Sequence, residues 1–127
     1  MEADVGGLQR KVVFSRVYPA RVSNGDSGIA LKDGRTLPFV VTRSWSAPAG
    51  HYDEAWYLVD PSTREVLYEH SSGEVRVWGL QSETEFSDTA TKAIPLAPGK
   101  YLIVFALAGV KGGETTVSAV PAMGSAA

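Results

Sequence analysis

Two histidines, His51 and His70, and 14 acidic side chains are the titratable material from which this chain could assemble a reaction centre. The densest grouping is "GHYDEAW", which brings His51, Asp53 and Glu54 together. On a strand, residues 51 and 53 point the same way, so an imidazole and a carboxylate could share a metal ion if a third ligand came from elsewhere. His70, beside Glu69, is a distant contributor to that scheme. Polar residues at loop edges are ordinary, however, and the reading adopted is a solvated loop and strand end, with no metal and no cofactor. The acid spacing of a calcium loop is absent. "GDSG", Gly25 to Gly28, offers a serine hydroxyl instead. A serine attacks only when a base takes its proton and a third group orients that base. No histidine precedes Ser27. The fragment reads as a turn.

"GDSG" also resembles the nucleophile segment of chymotrypsin-like serine proteases, but Ile29 stands where a third glycine is needed. A chain of 127 residues is also too short for that family's two barrels. General acid–base work needs paired carboxylates in a cleft. Here Asp60, Glu65, Glu69, Glu74, Glu83, Glu85 and Asp88 are scattered over turns and hairpins. The phosphate-binding and dinucleotide glycine patterns are missing, and "VKGGE" lacks both their spacing and the helix that should follow. No catalytic residue is assigned, and the chain is not expected to be an enzyme.

The bulk numbers describe an ordinary globular domain: 44% hydrophobic and 20% charged residues, net charge −2. No run of Lys or Arg exceeds two residues, so nucleic acid is not an expected partner. The absence of cysteine removes disulfides, thiolate metal sites and a thiol nucleophile together. "MEADVGGLQR" lacks the apolar core of a signal peptide, and the apolar run Tyr101 to Val110 is too short for a membrane helix. The expected setting is cytoplasmic, without membrane insertion.

The elements that must position these residues read as strands. With 13 Gly and seven Pro, the chain punctuates short runs rich in Val, Thr, Tyr, Phe and Trp. "RKVVFSRVYPARV", residues 10–22, comes first, with Pro19 marking an edge or a break. Asn24-Gly25 and Asp33-Gly34 are tight-turn signals on either side of "IALK". In "RTLPFVVTRSW", Leu37, Phe39 and Val41 share a face that Trp45 continues, with Arg43 intervening, so the Trp45 ring is expected in the core. "SAPAGH" is a loop. "YDEAWYLVD" and "REVLYEH" form a hairpin about Asp60-Pro61. "EVRVWGL" and "TEFSDTATKAI" continue the series, then "LAPGK" turns into the run 101–108 and "KGGE" turns into "TTVSAV". The sum is an all-β domain of about eight or nine short strands. The boundaries are a flexible arm at 1–9, one antiparallel domain at 10–120 and a flexible tail at 121–127.

"PLAPGKYLIVFAL" places a tyrosine just after a Pro-Gly turn, at the head of the most apolar strand. It resembles the tyrosine-corner region of Ig-like and fibronectin-III-like modules, where the hydroxyl bonds back to the backbone. The middle hairpin and that strand, over residues 50–110, also resemble bacterial Ig-like accessory modules, including the intracellular proteinase-inhibitor type. The resemblance implies an Ig-like β-sandwich and carries over no inhibitory residue.

Function is read from the aromatics. Both faces of "WYLV" and of the run 101–108 are apolar, whereas a two-layer antiparallel arrangement needs one apolar face per sheet. The expectation is a non-catalytic protein-interaction module, a homodimer or a small accessory subunit of a larger assembly. It would dock through the apolar, aromatic-bearing hairpin region 52–80, with Tyr52, Trp56, Tyr57, Tyr68 and Trp78 as its contact residues, or by strand addition at an edge such as residues 10–18. The alternative is a carbohydrate- or small-ligand-binding module that stacks its ligand on exposed Trp and Tyr rings.

Overall fold

The computed structural model of the chain describes residues 9–21 and 27–122. Nine strands follow one another: β1 (Lys11–Pro19), β2 (Ile29–Lys32), β3 (Arg35–Thr36), β4 (Phe39–Ser46), β5 (Gly50–Val59), β6 (Val66–Val77), β7 (Thr84–Ala90), β8 (Gly99–Leu107) and β9 (Val110–Pro121). None of the described residues is helical. The strands form a three-stranded sheet ordered β1-β4-β7 and a six-stranded sheet ordered β3-β2-β9-β8-β5-β6. One of the two sheets is curled as a half-barrel. No described helix is long and apolar enough to cross a membrane.

Period-two alternation supplies the core. On β4, Phe39, Val41 and Trp45 point inward and are fully buried, as the sequence register of Trp45 implies. On β8, Tyr101, Ile103, Phe105 and Leu107 meet them, with Trp56 and Leu58 of β5 and Val17 of β1. The Tyr101 hydroxyl donates to the carbonyl of Ala97, four residues back, at 2.8 Å. Tyr52 repeats the bond at the head of β5, donating to Pro48 at 2.7 Å. Each tie pins the loop that feeds a central strand of the larger sheet.

The turns divide between expected and unexpected. Asp33 and Gly34 both take positive φ (54° and 76°) and join β2 to β3, as an Asp-Gly hairpin requires. Asn24-Gly25, with the first half of "GDSG", lies outside the described residues. "KGGE" is no turn: Ala108 and Gly109 reverse the chain, and residues 111–114 are strand. "REVLYEH" and "EVRV" are one strand, β6, kept whole by two bulges. β2 pairs with β9 in parallel, where antiparallel pairing throughout was expected.

The outer face of β8 answers the question its composition raises. Register places Val104 between Tyr57 and Glu114, and Leu102 between Val59 and Thr116. Leu102 and Ala106 are buried and Val104 half-buried. A strand with neighbours on both sides is covered largely by their side chains, so this face needs no second chain.

Candidate functional site

The inward row of β4 contains a cation. Arg43 lies between Val41 and Trp45 and exposes no surface. An isolated buried guanidinium is prohibitively costly, so its partners decide whether it can sit there. Glu54, equally buried on β5, meets it as a fork: Nε donates to Oε2 at 2.7 Å, and the second bond runs to Oε1. Nη1 donates to the carbonyl of Val41 at 2.9 Å. Nη2 also reaches Asp88 of β7 at 2.6 Å and Ser72 of β6 at 3.1 Å. The Trp45 indole donates to Glu54 Oε2 at 2.8 Å. Four strands from both sheets therefore meet at one guanidinium.

A β-bulge makes the last contact possible. Glu54 pairs with Gly73 and Ala55 with Ser71, leaving Ser72 as the extra residue of β6. A bulge re-aims the side chain it carries. Here the Ser72 hydroxyl turns inward and donates to Asp88 Oδ2 at 3.1 Å. His70, one inward position along, stacks on Trp56 with ring centroids 4.9 Å apart and an 11° interplanar angle. Its Nε2 lies 3.5 Å from Asp88.

Electrostatics follow from this packing. Burial works to lower the Arg43 pKa, but the hydrogen bonds and charges of Glu54 and Asp88 outweigh it and raise it. Burial likewise works to raise the Asp88 pKa, and Arg43, then Ser72 and His70, overcome it and hold the carboxyl below its ordinary value. Both groups stay charged across the neutral range. The serine, histidine and aspartate do not form a nucleophilic triad, because Ser72 gives its proton to Asp88 rather than to His70. With Glu54 held by both Arg43 and Trp45, the cluster is an electrostatic strut between sheets.

The residues singled out in the sequence scatter. His51 and Asp53 are exposed, while Glu54 turns into the core, so "GHYDEAW" does not converge. Among the described residues no group of three His, Cys, Asp or Glu side chains could hold a metal ion. Of the five aromatics assigned to docking, Trp56 shows no surface, and its place in the core removes it from that role. Tyr68 packs inward against Trp56 with centroids 5.8 Å apart. Tyr57 is half-buried on the outer face, and Tyr52 half-buried beneath the Arg10 guanidinium. Trp78 is 58% exposed, with the Arg76 guanidinium 4.1 Å from its ring centroid.

Trp78 is not alone at its end of the molecule. Leu80 follows it, and the Leu80 carbonyl accepts a bond from Ser46 at the end of β4. Phe14, 53% exposed, pairs with Ser44, one outward position from Ser46. Val13 beside it is the bulged residue of β1. So four of the six exposed large apolar residues among those described, Val13, Phe14, Trp78 and Leu80, lie where β1 starts and β4 and β6 end. Sequence alternation could not find this grouping, because a bulge and a loop supply it.

No protein-family model matches the chain, and no curated protein matches it. Among solved structures it is similar to part of the Pseudomonas fluorescens alkylpurine DNA glycosylase AlkC, seen bound to DNA containing an abasic site analog. The TM-score is 0.56 at 10% identity, over 87% of this chain and 30% of that chain. It is also similar to part of the Listeria innocua β-glucosidase in complex with isofagomine, at TM-score 0.42 and 14% identity, over 84% of this chain and 16% of that one. At 10% identity the likeness to the glycosylase is one of fold alone.

Two expectations are corrected by the glycosylase. An enzyme that acts on DNA contains this arrangement, so neither catalysis nor nucleic acid is excluded for the fold. The physical reason is that both exclusions rested on linear pattern. Strand pairing brings together charges that no run of sequence displays, as it does with Arg43, Glu54 and Asp88. Missing catalytic motifs likewise exclude only chemistry that is written contiguously.

Proposed function

We propose that this chain is a binding domain of Ig-like β-sandwich type that docks on a protein partner as one piece of a larger polypeptide or assembly. The observation that carries the reading is the gathering of Val13, Phe14, Trp78 and Leu80 at one end. A single exposed apolar residue is ordinary, but a contiguous group marks an interaction surface. Burying each such side chain contributes roughly 1.5–3 kcal/mol, and Trp is prominent among interface anchors. The sandwich reading is supported by the shared core of the two sheets and the backward bond of Tyr101.

The test is pull-down from the source organism, with light scattering after size exclusion, for wild type and for Trp78→Ala/Phe14→Ser. Retention of a partner or self-association by wild type, lost in the double variant, is the expected result. A strictly monomeric protein that retains nothing ends the reading. A labelled DNA duplex belongs in the same assay, because AlkC is seen bound to DNA. DNA binding that ignores the double variant would move the function away from this end. Sugar stacking has little support, since the rings of Trp45 and Trp56 are inside.

A further inference from the structure

The outer face of the three-stranded sheet has two unlike borders. Residues directly opposite on paired strands point to the same side, so register fixes which side chains the face carries. Phe39, Val41, Arg43 and Trp45 of β4 are fully buried and point inward. Val40, Thr42, Ser44 and Ser46 therefore form the outward row. On the β1 side that row meets Tyr18, Arg16, Phe14 and Lys11 in turn. On the β7 side it meets Thr89, Ser87 and Glu85, with Glu83 just before the strand. Asp88 is not part of this border, because it points to Arg43.

Lys11, Phe14, Arg16, Glu83 and Glu85 are all exposed. The Arg16 guanidinium lies 4.4 Å from the Tyr18 ring centroid, which holds it along the β1 border. One border is thus cationic and aromatic, the other is acidic, and a strip of small side chains separates them. A partner of a single charge would satisfy one border and oppose the other. A second copy of the chain satisfies both.

We infer that two copies of the chain meet through this face, about a twofold axis running along β4. Such a contact is isologous, with the same patch used by both copies. With the axis parallel to β4, β1 of each copy lies over β7 of the other. Lys11 and Arg16 then face Glu83 and Glu85, and do so twice. An axis across the strands would lay β1 over β1 and set cation against cation, so the charges select the first arrangement. Three strands of this length span roughly 14 Å by 25 Å, below a standard interface, and the dimer is accordingly weak and concentration-dependent. The face continues into the apolar end, since Phe14 belongs to both and the Ser46 hydroxyl donates to the Leu80 carbonyl. The inference rests on the docking reading and names its partner.

Sedimentation velocity on the full chain, from about 10 μM to 1 mM, reads the equilibrium in the range where weak interfaces form. A monomer–dimer equilibrium that weakens with added salt is expected. Lys11→Glu/Arg16→Glu makes both borders acidic, and Glu83→Lys/Glu85→Lys makes both basic. Each double variant alone should dimerise about tenfold more weakly or worse. Mixed in equal amounts, the two should pair with each other and regain the lost affinity. Circular dichroism checks each fold, and the single pair Lys11→Glu with Glu85→Lys repeats the swap should a double variant unfold. A wild type that stays monomeric, reversals without effect, or a mixture that does not pair would overturn the inference. A monomer that still retains another protein in the pull-down ends the dimer and leaves the docking reading in place. A charge-swappable dimer that ignores Trp78→Ala/Phe14→Ser does the reverse.

Discussion

The two sides along which the sheets meet are both built around a bulge residue, and they are joined by opposite means. On the β1–β9 side the extra residue is Gly112, between the pairs Phe105–Gly113 and Ala106–Lys111. A Cβ there would lie 2.1 Å from the Trp45 ring, so the join depends on having no side chain at all. On the β6–β7 side the extra residue is Ser72, and the join depends on what its side chain bonds to. One side is closed by steric fit, the other by charge. The difference teaches where each is fragile: the first to added volume, the second to a lost partner or an added proton.

Arg43→Met should do the most damage. Breaking a buried pair strands Glu54 and relaxes Asp88, at a cost of about 3–5 kcal/mol read by urea denaturation. A loss under about 1 kcal/mol would show that the charged side is ornamental. Gly112→Ala tests the other side, with an expected loss of about 1–3 kcal/mol or more from overpacking against Trp45. Gly113→Ala is its control, because a Cβ there meets Val12 at an ordinary 3.5 Å. Equal losses from the two alanines would dissolve the steric account.

Acid should separate the sides next. The Asp88 carboxyl titrates lower in the folded protein than in the unfolded chain. Its contribution is therefore present above the ordinary carboxylate range and is lost as pH falls through the depressed value. Asp88→Asn should flatten the acid limb of a stability–pH profile, while Gly112→Ala should shift the whole profile without changing its shape. The smallest effect on stability belongs to Trp78→Ala, within about 0.5 kcal/mol by thermal melting, because the ring is mostly in solvent.

Much of this frame is legible in the sequence. Trp45 continues the inward register of Phe39 and Val41, Asp33-Gly34 demands a hairpin, and Tyr101 follows its turn at the distance a backward bond needs. Arg43 is visible as an intruder in that same row. Its partners are not, because Glu54 and Asp88 stand 11 and 45 residues away and alternation reports a face without naming who is opposite. Gly112-Gly113 reads as a turn because glycine pairs usually are turns, whereas here the missing side chain makes room for an indole. Bulges shift parity by one, so Ser72 and Val13 are misplaced by any strict period of two.

The three tryptophans have three different surroundings. Trp45 has its indole N–H on a carboxylate, Trp56 has an imidazole over its ring and an indole nitrogen with no acceptor, and Trp78 has a guanidinium on one face and solvent around the rest. Those surroundings tune emission wavelength and quenching independently. With single-tryptophan variants, the intrinsic fluorescence of the chain becomes a three-channel reporter that needs no attached dye. One channel would watch the middle of the protein, another the histidine beside β7, and the last the exposed end at Trp78.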